Sequence, residues 1–187
     1  VYKRQRYYNV MPTKNFSSIG GFAVGSTEIV NTSYELKNIS AIHMVSDNFA
    51  DATHDKYLVK RVTDAANNTL QLTLDGTTAL AENTPALAAD RVSFIKARVF
   101  GQETTQNQYV YATTFDIVVT TAANGTPTVA SSYENIIRNN PPGQELWSVT
   151  PDAFQIGGAP YFTFEVKSVT TNSTVKWIGV LDITVVS

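Results

Sequence analysis

The chain is 187 residues long, carries a formal net charge of −2, and is 43% hydrophobic but only 16% charged. That length suits one domain with a core large enough to fold without staples, and the absence of cysteine excludes disulfides, thiolate metal sites and cysteine nucleophiles. A near-neutral charge offers nucleic acid no field to follow, and no apolar run approaches the ~20 residues of a membrane-spanning helix. Neither a nucleic-acid partner nor a membrane span is expected.

The charged fraction sits well below the usual ~25%. Thr, Ser, Asn and Gln fill the shortfall, and these residues favour strands and turns over helices.

The chain opens "VYKRQRYYNV", without methionine and with Lys3, Arg4 and Arg6 close together. A basic arm of the kind that a small jelly-roll capsid protein uses on packaged nucleic acid needs many cations for counterion release, and the next one comes only at Lys14. Val1 to Gln5 match, letter for letter, the translation of GTG TAT AAG AGA CAG, the end of a transposon adaptor used in sequencing libraries. Residues 1–5 are therefore expected to be an artefact, and the chain a piece of a longer one. From there to about residue 35 the sequence is turn-rich, and 1–35 reads as an irregular N-terminal extension.

Strand patterns fill 36–187. "SYELKNISAIHMVSD" shifts phase and predicts a bulged strand or two short ones. "KYLVKRVT" alternates, and "TLQLTLD" follows with Leu70, Leu72 and Leu74 on one face, the Asn67–Asn68 pair between them suiting a hairpin. "TTALAENTPALAAD" and "YENIIRNN" are the two stretches able to hold a helical turn. "RVSFIKARVFG" reads as an inner strand on Val92, Phe94, Ile95, Ala97 and Val99. "YVYATTFDIVVTTA" sets Tyr109, Tyr111, Thr113, Phe115, Ile117 and Val119 on one face. Short runs at "TVASS" and "ENIIRN" precede three closing strands, "LWSVTPDAF", "YFTFEVKSV" and "TVKWIGVLDITVV". Eight to ten antiparallel strands at this spacing predict an all-β fold, an antiparallel β-sandwich, of which the jelly roll is one form.

Reactive constellations are sparse. His43 and His54 lie in "HMVSDNFADATHD" among carboxylates, but at a spacing that matches neither a zincin helix nor an EF-hand loop, and a solvated acidic loop explains them better. Glu28, Glu35, Asp116, Glu134 and Asp152 are available for acid–base work, which needs two of them held across a cleft; the sequence brings no two together. Asp116 interrupts an apolar strand and reads as an outward position. No nucleophile elbow, P-loop or dinucleotide fingerprint appears. No catalytic residue, metal ligand or cofactor site is expected, and the chain is read as non-enzymatic. Most aromatics share faces with Val and Ile and read as core; Tyr109, Tyr161 and Trp147 are the candidates for stacking a ligand such as a host-surface glycan. Six Asn-x-Ser/Thr triplets start at Asn15, Asn31, Asn38, Asn67, Asn124 and Asn172, and they matter only in a secreted eukaryotic protein.

Over residues 56–187 the succession "LQLTLDGTT", "VSFIKARVFGQE", "YVYATTFDIVVT", "NGTPTV", "WSVT" and "VKWIGVLDITVV" resembles the C-terminal β-rich module of tailed-bacteriophage tail-fibre and other virion structural proteins. Those modules close on a strand of the form (I/V)-(K/R)-W-(V/I)-(A/G)-x-(I/V/L), here Val175 to Leu181. The resemblance implies a structural or adhesive domain without catalytic residues, located on the virion, homotrimeric and in contact with other virion proteins. A carbohydrate-binding module of a bacterial surface or secreted protein is the alternative.

Overall fold

A computed structural model describes residues 22–24, 27–30, 39–46, 49–64, 69–105, 108–141, 147–168 and 174–186, and every element in them is a β-strand. The chain divides into two units, Val1–Ile39 and Ser40–Ser187. In the first, within the segment expected to be irregular, β1 (Phe22–Val24) and β2 (Thr27–Val30) pair antiparallel. Residues 1–5 lie outside the described residues.

The second unit runs through β3 (Ala41–Ser46), β4 (Phe49–Thr63), β5 (Thr69–Gln71), β6 (Arg91–Glu103), β7 (Val110–Thr121), β8 (Pro127–Asn140), β9 (Ser148–Ile156), β10 (Ala159–Lys167) and β11 (Val175–Val186). These form a six-stranded sheet, ordered β3-β4-β11-β6-β7-β8, and a three-stranded sheet, ordered β5-β10-β9. All neighbours are antiparallel. The sheets meet face to face: Phe115 of β7 and Phe164 of β10 bring their ring centroids to 4.8 Å. This is the antiparallel β-sandwich that the alternating pattern anticipates.

The closing strand β11 holds the centre of the larger sheet, between β4 and β6. Its period-two pattern sends Val175, Trp177, Leu181 and Ile183 into the core and leaves Lys176, Ile178 and Val180 exposed. Trp177 lies opposite Gly101 of β6, and its ring fills the space that a side chain there would take. Its indole Nε1 donates to Thr63 Oγ1 at 3.0 Å, and Ser168 Oγ bonds the same oxygen at 2.8 Å. Tyr111 and Trp147 pack beside it, with centroids 5.8 and 5.7 Å away. Gly179 similarly leaves room for Val59 and Leu72. The motif quoted above is thus half core and half outer surface.

The β9–β10 connection is a two-residue hairpin, Gly157–Gly158, with φ of 59° and 87°. Both values lie in the left-handed region that a type I′ turn requires, and glycine enters it without steric cost.

Three expectations are corrected. "YENIIRNN" is strand, the second half of β8, whose pairing with β7 shifts register twice, between Ala112 and Thr113 and between Val118 and Val119. Those shifts break the alternation and make one long strand read as two short ones. β5 is not the hairpin partner of β4: it crosses to the other sheet and pairs with β10, while a single bridge, Lys60 to Thr73, still ties the chain to β4. In β6 the phase never changes. Ser93, Ile95, Ala97 and Val99 are buried in strict alternation, so Val92 and Phe94 face outward.

Candidate interaction surface

Alternation in four adjoining strands, β4, β11, β6 and β7, gives the six-stranded sheet a second, outward face, and the sequence places apolar residues there too. Ile42 and Met44 of β3, Leu58 and Val62 of β4, Ile178 and Val180 of β11, Val92, Phe94 and Phe100 of β6, and Tyr133 and Ile137 of β8 are all exposed. Phe94 is 55% exposed and Tyr133 67%, values that water tolerates in single residues but that here belong to one continuous surface. Two adjoining grooves indent it. One, of about 390 Å³, is lined by Phe100, Ala112, Ile137, Ile178 and Val180; the other, of about 250 Å³, lies over Lys96, Asp116 and Asp182.

Register fixes how charge is laid across this face. One row reads Ile42, Lys56, Asp182, Lys96, Asp116, Tyr133 in strand order from β3 to β8. Lys56 Nζ is 3.1 Å from Asp182 Oδ1, and Lys96 Nζ is 3.8 Å from Asp116 Oδ1. Opposite charges on directly facing residues are the stabilising arrangement in a sheet. The neighbouring row brings Met44, His54, Thr184, Phe94 and Val118 together.

A third, polar groove, of about 280 Å³, lies beside the three-stranded sheet and is lined by Arg61, Thr69, Gln71, Thr78 and Glu165 among others. Gln71 Nε2 donates to Asp152 Oδ2 at 2.6 Å. Burial, and then the charge of Asp152, raises the Glu165 carboxyl above the ordinary carboxylate range. At one side of this groove the chain turns through Asp75, which accepts hydrogen bonds from Thr77 N (2.9 Å), Thr77 Oγ1 (2.8 Å), Asn83 Nδ2 (3.0 Å) and Thr73 Oγ1 (3.1 Å). These donors, the Thr77 amide foremost, hold its carboxyl well below the usual range. A depressed native pKa adds stability above the ordinary value near ~4 and loses it as the pH falls below that. Asp75→Asn is therefore expected to lower the urea midpoint at neutral pH, and the gap from wild type is expected to shrink progressively below pH 4. Equal gaps at pH 7 and pH 3 would mean that the turn does not depend on the charge.

The three aromatic candidates fall in different places. Trp147 is core, 1% exposed and edge-on to Trp177, because it sits where β9 begins to cover the larger sheet; its ring offers a ligand nothing. Tyr161 is also buried, at 7%, on the side of β10 away from Phe162 and Phe164, with its centroid 6.3 Å from that of Phe154. Tyr109 is half-buried against the core. The three do not form a platform.

Nor do the titratable candidates converge. His43 bonds Asp55, whereas His54, one residue along β4 and so on the opposite face, bonds Thr184 Oγ1 at 2.8 Å and lies 3.5 Å from Asp182. Asp116 is exposed and faces outward beside Lys96, as its place on the strand suggests. Glu134 accepts hydrogen bonds from Tyr111 Oη (2.7 Å) and Thr113 Oγ1 (3.0 Å), and burial followed by this carboxylate raises the Tyr111 phenol above its ordinary value. Glu35 and the side chain of Glu28 lie outside the described residues. Among the described residues no helix is long and apolar enough to cross a membrane.

No protein-family model and no curated protein matches the chain. Among solved structures it is similar to a tailspike protein of Acinetobacter baumannii bacteriophage Fri1, a capsular polysaccharide depolymerase, at 15% identity and a TM-score of 0.38 over 78% of this chain. It is also similar to the tailspike protein of Acinetobacter baumannii phage AM24, at 14% identity and a TM-score of 0.28 over 70% of this chain. The match spans only 20% of the first tailspike and 26% of the second.

The sequence reading missed the outer apolar face. Its signal was present in "VSFIKARVF", where apolar residues occupy both phases of one strand. A strand with one wet face has no need of that pattern, whereas a strand covered on both sides does.

Proposed function

We propose that this chain is a non-enzymatic assembly domain of a virion, of the tail-fibre or related particle type, and that the outer face of its six-stranded sheet is the contact surface. The observation that carries this reading is the exposure of Phe94, Phe100, Ile178, Val180 and Leu58 on strands whose other side is already packed. Large apolar side chains exposed on both sides of a charged row of one sheet face mark a contact with a protein partner. The particle is inferred from the resemblance of Val175–Leu181 to the closing strand of phage fibre modules. Thr-rich sheets of low charge content without cysteine suit life outside a cell, where the assembly must hold without redox control.

Light scattering on the purified chain is expected to give a closed homo-oligomer. The fibre resemblance implies a trimer and the outer face a pairwise contact, and a strict monomer at high concentration would sink the assembly reading. Breakdown of capsular polysaccharide, the activity that the phage Fri1 tailspike carries, would sink the non-enzymatic part. The polar groove favours a second reading, a glycan contact on the three-stranded sheet, since Gln71 and Glu165 present planar hydrogen-bonding groups beside Arg61. Binding on a glycan array that Gln71→Ala abolishes without unfolding would establish it.

A further inference from the structure

The central row of the outer face has a symmetry that no single copy uses. Read from β3 to β8 it runs apolar, positive, negative, positive, negative, apolar: Ile42, Lys56, Asp182, Lys96, Asp116, Tyr133. Its midpoint falls between β11 and β6, which is also the middle of the six-stranded sheet. Turning the row end for end exchanges every positive position with a negative one and the two apolar ends with each other.

We propose that this face packs against the same face of a second copy, about a two-fold axis that runs along the strands between β11 and β6. The proposal rests on the assembly reading above and specifies its partner and geometry. About that axis Asp182 lies over Lys96 of the second copy, Lys56 over its Asp116 and Ile42 over its Tyr133, each contact occurring twice, as an isologous interface requires. A two-fold axis across the strands would instead set every charge of the row over its own twin. A slide by one strand would set positive over positive and negative over negative, and like charges facing across an interface cost several kcal/mol. A slide by two strands keeps opposite charges facing but leaves two such contacts instead of four, so the row favours the centred registration. Its carboxylates and ammonium groups are already paired within the sheet at 3.1 and 3.8 Å, so closing the face adds partners to charges that burial would otherwise strand.

The size of the face fits. Six strands spaced about 4.8 Å apart, each presenting roughly ten residues at about 3.3 Å, offer on the order of 900 Å² per copy, against about 800 Å² per partner in a standard stable interface. Phe94, Phe100 and Ile178 supply the apolar area around the row, the part of such an interface that carries most of its affinity.

The test uses the full chain and two single reversals. Lys96→Glu sets Glu over Asp182 twice in any homodimer, and Asp182→Lys sets Lys over Lys twice. By sedimentation velocity, with circular dichroism to verify the fold, the wild type is expected to be a dimer. Each variant alone is expected to dissociate, with a dimer Kd raised by about a hundredfold or more, and an equimolar mixture is expected to restore a one-to-one pair. Lys56→Glu mixed with Asp116→Lys repeats the experiment at the outer positions, so a folding defect in one variant does not decide it. Variants that stay dimeric, or mixtures that never pair, would overturn the proposal. A trimer indifferent to the substitutions would overturn it too, while leaving the assembly reading standing. A wild type that is monomeric at every concentration would overturn both.

Discussion

Gly101→Ala is expected to destabilise the domain by roughly 3 kcal/mol, the upper end of the usual range for overpacking a core. A Cβ at Gly101 would stand 2.5 Å from Cζ3 and 2.6 Å from Cε3 of Trp177, far inside van der Waals contact. The indole has nowhere to retreat. It is 1% exposed, bounded by Tyr111 and Trp147, and anchored through Nε1 to Thr63. The preference of strands for alanine over glycine favours the variant, but by too little to offset the clash. In thermal unfolding the loss corresponds to roughly 10 °C for a unit of this size. An unchanged midpoint would show that the ring has a second place to go.

Trp177→Ala is expected to cost more, about 3–5 kcal/mol, because it removes one of the two fully buried tryptophans of the core and leaves a cavity that rigid strands cannot close. Against the 5–15 kcal/mol that typical domains possess, such a loss leaves a substantial unfolded fraction. Two controls separate its parts. Trp177→Phe keeps most of the packing and gives up only the bond to Thr63, which Ser168 continues to satisfy, so it should cost far less. Gly101→Ala placed in a Trp177→Leu background should be nearly neutral, since the smaller side chain vacates the space. That non-additivity, read from urea midpoints, is the direct measure of the contact; additive losses would mean that the two residues act separately.

The fold was legible because burial on one side imposes a period of two, and "YVYATTFDIVVTTA" obeys it from Tyr111 to Val119 without error. It became illegible wherever something else competed with that period. In β8 the register shifts scrambled the phase, and almost every side chain from Ala130 to Arg138 is exposed on both faces, so no burial pattern existed to be read. In β6, Phe94 beside Ile95 looked like a phase change because one apolar face was assumed. The pairing of β5 with β10 rather than β4 was beyond reach, since alternation identifies a strand but not its neighbour. The candidate surface failed for a related reason. Search for a site favours reactive or aromatic residues, and Trp147 and Tyr161 satisfied that search while being structural. The charge row became visible only when register aligned Lys56, Asp182, Lys96 and Asp116, residues scattered across most of the chain.

The position of β11 has a consequence for how the protein is made. The strand at the centre of the large sheet is synthesised after every other strand of that sheet, and the bond from Trp177 to Thr63 spans 114 residues. Until β11 leaves the ribosome, β3 and β4 on one side and β6, β7 and β8 on the other have open inner edges and no common core. At ~5–20 residues per second of translation, that interval lasts seconds, during which two β-ribbons with exposed Phe and Ile wait for the strand that joins them. A sheet closed last by long-range pairing folds slowly.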